Sequence, residues 1–229
     1  MTLVTALQAR DSIVLAGDGR GTFGDPRGFM AINDMRKKVF RLGKYCGIGV
    51  SGPPDLASAL LKEIQRELAS REAAYIDDIL PYTRERLRRL YNEAFRDLPP
   101  DRRPLIGFIL AGYEREGTPR VYSISSEFDY APMLSEPGFC ILGLPLFPTY
   151  LVNRFYDPSA SGEQIVALAE YLIAETASQD PKVGGPITIA VILPNQGYRE
   201  WVADEVAAVH RRNEEQTIRM REYFSKGIR

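Results

Sequence analysis

Histidine and cysteine are scarce in this chain of 229 residues, and their scarcity excludes several kinds of site. One histidine, His210, cannot form a multi-histidine zinc site, and Cys46 and Cys140 lack the Cys-x-x-Cys spacing that would replace it. Both cysteines lie in apolar runs, where we expect reduced and buried thiols. His210 stands in a highly charged stretch, where we expect a solvated side chain and not the base of a Ser-His-Asp triad. We therefore expect no metal and no organic cofactor.

The sequence also lacks an excess of one charge and a long hydrophobic run. Lys and Arg together number 29 and Asp and Glu number 30, so no strong field would recruit nucleic acid or an anionic membrane. No apolar run reaches the length of a membrane span, and no signal-peptide hydrophobic region follows Met1. We therefore expect a cytoplasmic protein with neither a nucleic-acid nor a membrane partner.

The order of the predicted elements indicates the fold class. Apolar periodicity and turn residues predict four strands, two helices, three strands, two helices, two strands and a terminal helix. The predicted ranges are strands at 3–7, 12–18, 37–42, 45–52, 105–113, 120–126, 139–142, 187–193 and 199–202, a loop at 21–28, and helices from residue 53 and at 78–97, 147–156, 163–178 and 204–226. Helices grouped apart from hairpin-connected strands favour two stacked sheets with helical layers outside. We expect an α+β, four-layer α/β/β/α sandwich. It forms a single domain over 1–229, with a C-terminal helical extension at about 204–229.

The first residues of the chain point to a chemistry. If Met1 is removed, Thr2 carries both a nucleophilic hydroxyl and a free α-amine that can serve as its base. Methionine aminopeptidases of the bacterial type act when the second residue is small, as threonine is. The amine has an ordinary pKa of about 8, so a useful fraction of it is neutral at cellular pH. This pattern makes the chain a candidate hydrolase.

Three short segments follow Thr2 at spacings typical of one family. They are Asp18-Gly19-Arg20-Gly21-Thr22, Lys37-Lys38-Val39 and Val50-Ser51-Gly52. With them, the chain resembles proteasome β subunits and their bacterial relatives among the N-terminal-nucleophile hydrolases, over Thr2 to about Val202. The segment Gly17-Asp18-Gly19 is most similar to the corresponding segment of the bacterial HslV-type peptidase.

The resemblance implies a threonine-type endopeptidase. Thr2 falls on the nucleophile and Lys38 on the catalytic lysine, whose charge would lower the pKa of the threonine amine. Asp18 would keep Lys38 charged and oriented, and the Gly52 amide would face the carbonyl oxygen as it gains charge. Asp180 matches the aspartate of the family's Asp-x-x-Ser-Gly-Gly segment near the nucleophile.

Substrate preference and partners are also implied by the resemblance. Family positions that line the primary specificity pocket correspond to Gly21, Arg36, Val50 and Pro54. Arg36 favours acidic side chains and Val50 favours apolar ones, so the preference stays open. The expected partners are a polypeptide substrate, further copies of the chain in a homo-oligomeric ring, and an ATPase unfoldase as a candidate.

Two departures from the family pattern keep other functions open. The serine of a Ser-Gly pair is missing where the chain reads Leu142-Gly143, and Val183 replaces the serine of the segment that begins at Asp180. Those serines hydrogen-bond around the threonine amine in the family. A non-catalytic assembly subunit and an amidase that acts on small amides are therefore the alternatives. The terminal helix is either solvated or a contact to a neighbouring subunit.

Overall fold

The computed structural model of the chain describes residues 2–24, 30–71 and 73–226. Within these ranges the backbone forms twelve strands and five α-helices. The strands are β1 (Leu3–Gln8), β2 (Ile13–Gly17), β3 (Gly21–Gly24), β4 (Met30–Asn33), β5 (Val39–Gly43), β6 (Cys46–Ser51), β7 (Gly107–Tyr113), β8 (Pro119–Ser125), β9 (Met133–Leu134), β10 (Phe139–Gly143), β11 (Thr188–Leu193) and β12 (Gly197–Glu200). The helices are α1 (Pro54–Ser70), α2 (Ile76–Ala94), α3 (Leu146–Phe155), α4 (Gly162–Gln179) and α5 (Ala203–Lys226).

Two five-stranded sheets face each other at the centre of the molecule. Their strand orders are β10-β1-β2-β11-β12 and β5-β6-β7-β8-β9, and neighbouring strands in both sheets are antiparallel. Side chains of both sheets, such as Val4 and Leu15 from one and Val39 and Ile109 from the other, form a shared buried core. β1 and β2 are buried on both faces, which explains why they read as continuous apolar runs.

Helices cover the outer face of each sheet. α1 and α2 pack through residues such as Leu61, Ile64 and Ile79 onto the β5–β9 sheet, while α3, α4 and α5 pack onto the other. The predicted four-layer α/β/β/α sandwich is therefore confirmed. α4 begins one residue before its predicted start, in a capping box: the Ser161 hydroxyl accepts from the Gln164 amide, and the Gln164 side chain accepts from the Ser161 amide.

The loop predicted at 21–28 is wrong where the structure describes it. Gly21–Gly24 is strand β3, which pairs with β4 in a separate two-stranded sheet, and residues 25–28 lie outside the described residues. Glycines disfavour a strand, but backbone pairing with Met30–Asn33 supplies the hydrogen bonds that outweigh this preference. β9 was not predicted either, because two residues carry no periodicity.

His210 is partly exposed, as expected, but it also pairs with a buried carboxylate that the sequence did not indicate. His210 Nδ1 lies 2.7 Å from Glu170 Oε1, and the Glu170 side chain is fully buried. Asn213 Nδ2 donates to the other carboxylate oxygen at 2.5 Å, and Val206 and Val209 are buried beside it. The first half of α5 is thus fastened to α4, whereas Ile218, Tyr223 and Phe224 near its end are exposed. The last three residues of the predicted extension, 227–229, lie outside the described residues.

The two cysteines behave largely as predicted. Both thiols are free, Cys46 buried and Cys140 partly so. Burial raises the pKa of the Cys140 thiol to about 12 and raises that of Cys46 as well, so neither is a reactive thiolate. Among the helices of the described ranges, none combines the length and the apolar character needed to cross a bilayer.

Candidate active site

One cleft gathers most of the residues that the sequence singles out. It occupies about 360 Å³, including space open to solvent, between the start of β1, the strands β5 and β6 and the first turns of α1. Its lining residues are Thr2, Arg36, Lys37, Lys38, Phe40, Val50, Gly52, Ala57 and Ser58. The predicted nucleophile, lysine and oxyanion glycine therefore share one cleft with two of the predicted substrate-binding residues.

Thr2 is held by its backbone and by its neighbour Leu3. The Thr2 carbonyl oxygen accepts from the Leu144 amide at 3.1 Å. The Leu3 amide donates to Asp18 Oδ1 at 2.8 Å, and the Asp18 amide donates back to the Leu3 carbonyl at 3.1 Å. Because the peptide unit between Thr2 and Leu3 is anchored at both its carbonyl and its amide, the Thr2 side chain has a fixed origin at the cleft, where the residue is 6% exposed.

Asp18 connects that anchor to Lys38. Lys38 Nζ donates to Asp18 Oδ1 at 2.5 Å and to the Arg20 carbonyl oxygen at 2.6 Å, and both side chains of this ion pair are buried. Burial lowers the pKa of the Lys38 ammonium below its ordinary value, an effect that the Asp18 carboxylate opposes. The other Asp18 oxygen accepts from the Arg20 and Gly184 amides. One carboxylate thus positions both the lysine and the chain beside Thr2.

Gly52 forms the turn that leaves β6 for α1. Its φ of +133° is a conformation that L side chains rarely adopt. A Cβ there would lie 2.9 Å from the Leu105 carbonyl oxygen and 3.1 Å from the Ile106 Cα. The position therefore requires glycine, and the tight turn presents its backbone to the cleft, as an oxyanion-binding amide would need.

Gly143 ends β10 directly against Thr2. Its φ is +101°, and a Cβ at this position would lie 1.7 Å from the Thr2 carbonyl oxygen. The β1–β10 register pairs Gly143 with Leu3, so the close approach is built into the sheet. No side chain at 143 is compatible with the observed position of Thr2.

We expect Gly143→Ala to destabilise the fold by about 2 kcal/mol or more, because the new methyl meets backbone that cannot move without breaking the β1–β10 pairing. Urea denaturation gives the change in the free energy of unfolding. Gly117→Ala is the matched control, since Gly117 also has a positive φ (+85°) but has no atom within 4 Å of the added methyl. We expect about 1 kcal/mol there, from backbone strain alone. Equal losses at the two positions would contradict the packing at Thr2.

Asp180 lies outside the residues that line the cleft. It follows the last residue of α4, and its carboxylate accepts from the Lys182 amide at 2.8 Å. The segment that it begins reaches the site through Gly184, whose amide donates to Asp18. Val183, at the position of the family serine, is fully buried in the apolar core.

The two remaining predicted substrate-binding residues flank the cleft. Gly21 begins β3 beside Arg36, whose Cγ would lie 2.8 Å from a Cβ at Gly21. Pro54 is the first residue of α1. Val50 lines the cleft itself, and its amide donates to the Lys38 carbonyl oxygen at 2.9 Å.

Sequence reasoning missed the contacts that Arg20 makes. Its guanidinium binds both oxygens of Asp34, at 2.7 and 2.9 Å, and donates to the Pro181 carbonyl oxygen at 2.8 Å. These bonds tie the loop after α4 to the Lys38 site. Arg20 belongs to the Asp18–Thr22 segment that carries the family resemblance, and this position could have indicated a role for its side chain. In the described part of the chain, no group of three or more His, Cys, Asp or Glu residues is placed to hold a metal ion.

When the chain is compared with models of protein families, one model matches nearly all of it. A family model described as proteasome subunit matches residues 2–192. The chain belongs to the proteasome subunit family. This confirms the family inferred from Thr2 and the three segments that follow it.

Two relatives in the proteasome subunit family show how distant the similarity is. The chain is 24% identical over 219 residues to a proteasome subunit beta of Streptomyces griseus, covering 92% of this chain and 75% of the relative. It is 20% identical over 206 residues to a proteasome subunit beta of Methanopyrus kandleri, covering 90% and 93%.

A solved structure described as the helical assembly of the Anbu complex from Pseudomonas aeruginosa has the same fold. It superposes with a TM-score of 0.76 at 17% identity, covering 99% of this chain and 97% of the other. Similarity at this level of identity establishes the fold of this proteasome subunit family member and nothing further.

Proposed function

We propose that the protein is a threonine-type endopeptidase of the proteasome β family, with Thr2 as its nucleophile after Met1 is removed. The observation that carries this proposal is one cleft lined by Thr2, Lys38 and Gly52. Asp18 binds both Lys38 and the amide next to Thr2. Nucleophile, cation and backbone donor are the three parts that acyl transfer to an N-terminal threonine requires.

In the proposed mechanism the Thr2 amine takes the proton of its own hydroxyl, directly or through one water. The hydroxyl oxygen attacks the peptide carbonyl carbon, and the Gly52 amide stabilises the resulting oxyanion. The protonated amine then gives its proton to the leaving nitrogen, so the peptide bond breaks and an acyl ester forms on Thr2. Water, activated by the same amine, hydrolyses the ester and restores the hydroxyl. Lys38 stabilises negative charge on the threonine oxygen throughout.

We expect a bell-shaped pH profile of kcat/KM for peptide hydrolysis. Activity should rise with pH as the Thr2 amine loses its proton, through a pKa that the nearby Lys38 charge holds below the ordinary value of about 8. It should fall as Lys38 becomes neutral, and this limb should lie below pH 10.5 because burial lowers the pKa of Lys38 from that value.

The falling limb has its own control. Lys38→Arg keeps a positive charge at all accessible pH values, so whatever activity it retains should show no alkaline loss below the onset of unfolding. Circular dichroism at each pH identifies that onset. An alkaline limb unchanged in Lys38→Arg would contradict the role given to Lys38.

We place this peptidase in an assembly. The family and the helical assembly described for the Anbu structure support association of several copies, and we propose a homo-oligomeric ring of single-domain subunits with the Thr2 clefts inside. Polypeptides would be its substrates, delivered by an ATPase unfoldase in the cytoplasm. Sedimentation velocity of the purified protein tests the association, since a monomer at micromolar concentration would contradict it.

A non-catalytic assembly subunit is the second candidate, and one observation favours it. Val183 is fully buried in the apolar core where the family has a serine, so this position offers no hydroxyl to the Thr2 amine. A chain that keeps Met1 would also suit this candidate, since its Thr2 nitrogen would be an amide and not a base.

Hydrolysis by protein that lacks Met1 separates the candidates. We expect protein without Met1 to cleave internally quenched peptides, and mass spectrometry of the products would identify the cleaved bonds. Hydrolysis of small aminocoumarin amides without any cleavage of peptides would indicate an amidase. Failure to cleave either substrate, in protein proven to be oligomeric and free of Met1, would favour the non-catalytic subunit.

A further inference from the structure

Two backbone hydrogen bonds join the segment after α4 to the strand end that carries Asp18. The Gly184 amide donates to Asp18 Oδ2 at 3.2 Å, and the Gly184 carbonyl oxygen accepts from the Gly19 amide at 2.9 Å. Val183, at the position of the family serine, is buried and offers no hydroxyl. The placement of this backbone therefore helps to fix Asp18 and, with it, the Lys38 ammonium that Asp18 binds.

The Arg20 side chain binds the same segment. Its Nη1 donates to the Pro181 carbonyl oxygen at 2.8 Å and to the Val183 carbonyl oxygen at 3.4 Å. At the same time the Arg20 amide donates to Asp18 Oδ2, and the Arg20 carbonyl oxygen accepts from Lys38 Nζ. One residue thus holds the segment with its side chain and the buried ion pair with its backbone.

Asp34 fixes the guanidinium that makes these contacts. It directly follows β4, and its two carboxylate oxygens accept from Arg20 Nε at 2.7 Å and from Arg20 Nη2 at 2.9 Å. Such a two-point pair fixes the plane of the guanidinium, which leaves Nη1 directed at the carbonyl oxygens of the segment. Two glycines permit this close packing. A Cβ at Gly184 would lie 2.8 Å from Arg20 Cζ. A Cβ at Gly185 would lie 3.0 Å from Asp34 Cβ.

We propose that Asp34 is a positioning residue for the peptidase reaction. By fixing Arg20, it holds the segment 181–184 against Asp18. Lys38, which Asp18 binds, then keeps its place in the cleft. Asp34 and Arg20 do not belong to the described lining of the cleft, so we do not expect either side chain to touch the substrate. This inference rests on the proposed function and adds to it a residue that acts from outside the cleft.

The charges of the Arg20–Asp34 pair also act on Lys38. Burial lowers the pKa of the Lys38 ammonium, and the Asp18 carboxylate opposes this effect. The Arg20 charge lowers that pKa further, whereas the Asp34 charge raises it. Asp34→Asn removes only the Asp34 charge, so the Lys38 ammonium should then lose its proton at a lower pH.

Steady-state kinetics of protein without Met1 would compare Asp34→Asn with the unsubstituted chain. We expect kcat to fall about 10- to 100-fold, because a displacement of about 1 Å at the reacting groups can cost that much. KM should change by less than about threefold, since the residues that line the cleft are kept. The alkaline limb of the pH profile should move to lower pH. Asp34→Glu keeps the carboxylate and should restore most of the lost rate.

Asp78→Asn is the matched control. Both Asp78 oxygens bind Arg115 Nη2 at 2.8 Å, so this variant also removes a carboxylate from an ion pair with arginine. That pair joins the first turn of α2 to the residues after β7, and not to the segment 181–184. We expect kcat, KM and the pH profile to remain unchanged. Circular dichroism gives the folded fraction of each variant, and kcat is referred to that fraction, so a loss of stability alone leaves kcat unaffected.

Hydrogen–deuterium exchange tests the anchoring without turnover. Mass spectrometry would follow the backbone amides of residues 182–184, among which the Gly184 amide donates to Asp18. We expect these amides to exchange faster in Asp34→Asn and at an unchanged rate in Asp78→Asn. If the unsubstituted protein cleaved no peptide, the proposed function would fail, whereas the exchange would still report the anchoring by Asp34. The two failures are therefore distinguishable.

Three results would overturn the inference. The first is exchange at residues 182–184 that is equal in Asp34→Asn and in the unsubstituted protein. The second is faster exchange in Asp34→Asn with kcat and the alkaline limb unchanged. The third is a loss of kcat in Asp78→Asn as large as the loss in Asp34→Asn.

Discussion

Thr2→Ala should lower the rate of peptide hydrolysis by about ten-thousand-fold or more, the size of loss seen when a hydrolase loses its nucleophile. The hydroxyl oxygen forms the covalent bond to the substrate. Among the lining residues that the structure describes, none other than Thr2 would carry both a hydroxyl and a free α-amine. The Thr2 contacts that hold the fold are made by its carbonyl oxygen, which alanine keeps. The free energy of unfolding should therefore change by less than about 1 kcal/mol.

Thr2→Ser is the matched control for that loss. Serine keeps the hydroxyl and the α-amine, and it is also small enough for removal of Met1. We expect measurable hydrolysis with an unchanged pH profile. Single-turnover kinetics on protein of verified N-terminus checks both variants. A Thr2→Ala protein with activity within tenfold of the unsubstituted chain would show that another residue is the nucleophile.

Asp18→Asn should produce the largest loss of stability, about 3–5 kcal/mol, because it leaves the buried Lys38 charge without its counter-charge. The substitution is also mismatched in hydrogen bonding. The Asp18 carboxylate accepts from Lys38 and from three backbone amides, those of Leu3, Arg20 and Gly184. An asparagine amide has only one acceptor oxygen, and its NH₂ group would face donors. Urea denaturation with a parallel activity assay measures the two consequences.

Asp34→Asn is the control for Asp18→Asn. Asp34 also loses a charge from an ion pair, with Arg20, but this pair is partly exposed. Water screens such pairs, so we expect a much smaller loss of stability than at Asp18. If the two variants unfolded at the same urea concentration, the buried Asp18–Lys38 pair would not be the structural centre of the site.

The local sequence pattern predicted most of the strands and helices, because the apolar pattern of these elements matches the burial of their residues in the fold. β1 and β2 were predicted from apolar runs, and their burial on both faces is what makes such runs necessary. α1 was predicted from a stripe of apolar residues spaced by four, Leu56, Leu60, Ile64 and Leu68, of which the last three are buried and Leu56 is partly buried. Where an element depends on a distant partner, as β3 depends on β4, the glycines at both ends of β3 favoured a loop and the prediction was wrong.

The candidate site was likewise predicted in part. Thr2, Lys38 and Gly52 could be placed together because the family resemblance supplies a spatial relation that their sequence separation does not. The contacts that refine the site could not be predicted from the sequence. The pairing of Arg20 with Asp34 and the approach of Gly143 to Thr2 depend on side-chain and backbone positions set by packing in the folded chain. The same holds for the pairing of His210 with Glu170, where a charged stretch of sequence conceals a buried carboxylate.

The free N-terminus of Thr2 is the central claim, and mass spectrometry of the protein after reaction with a peptide epoxyketone tests it most directly. This reagent forms a stable ring only with a hydroxyl and an amine on the same residue. We expect the unreacted protein to be lighter than the full sequence by one methionine residue, and the reacted protein to carry the added mass of the reagent on Thr2 in the N-terminal tryptic peptide. Retention of Met1 throughout, or an adduct confined to another residue, would contradict it.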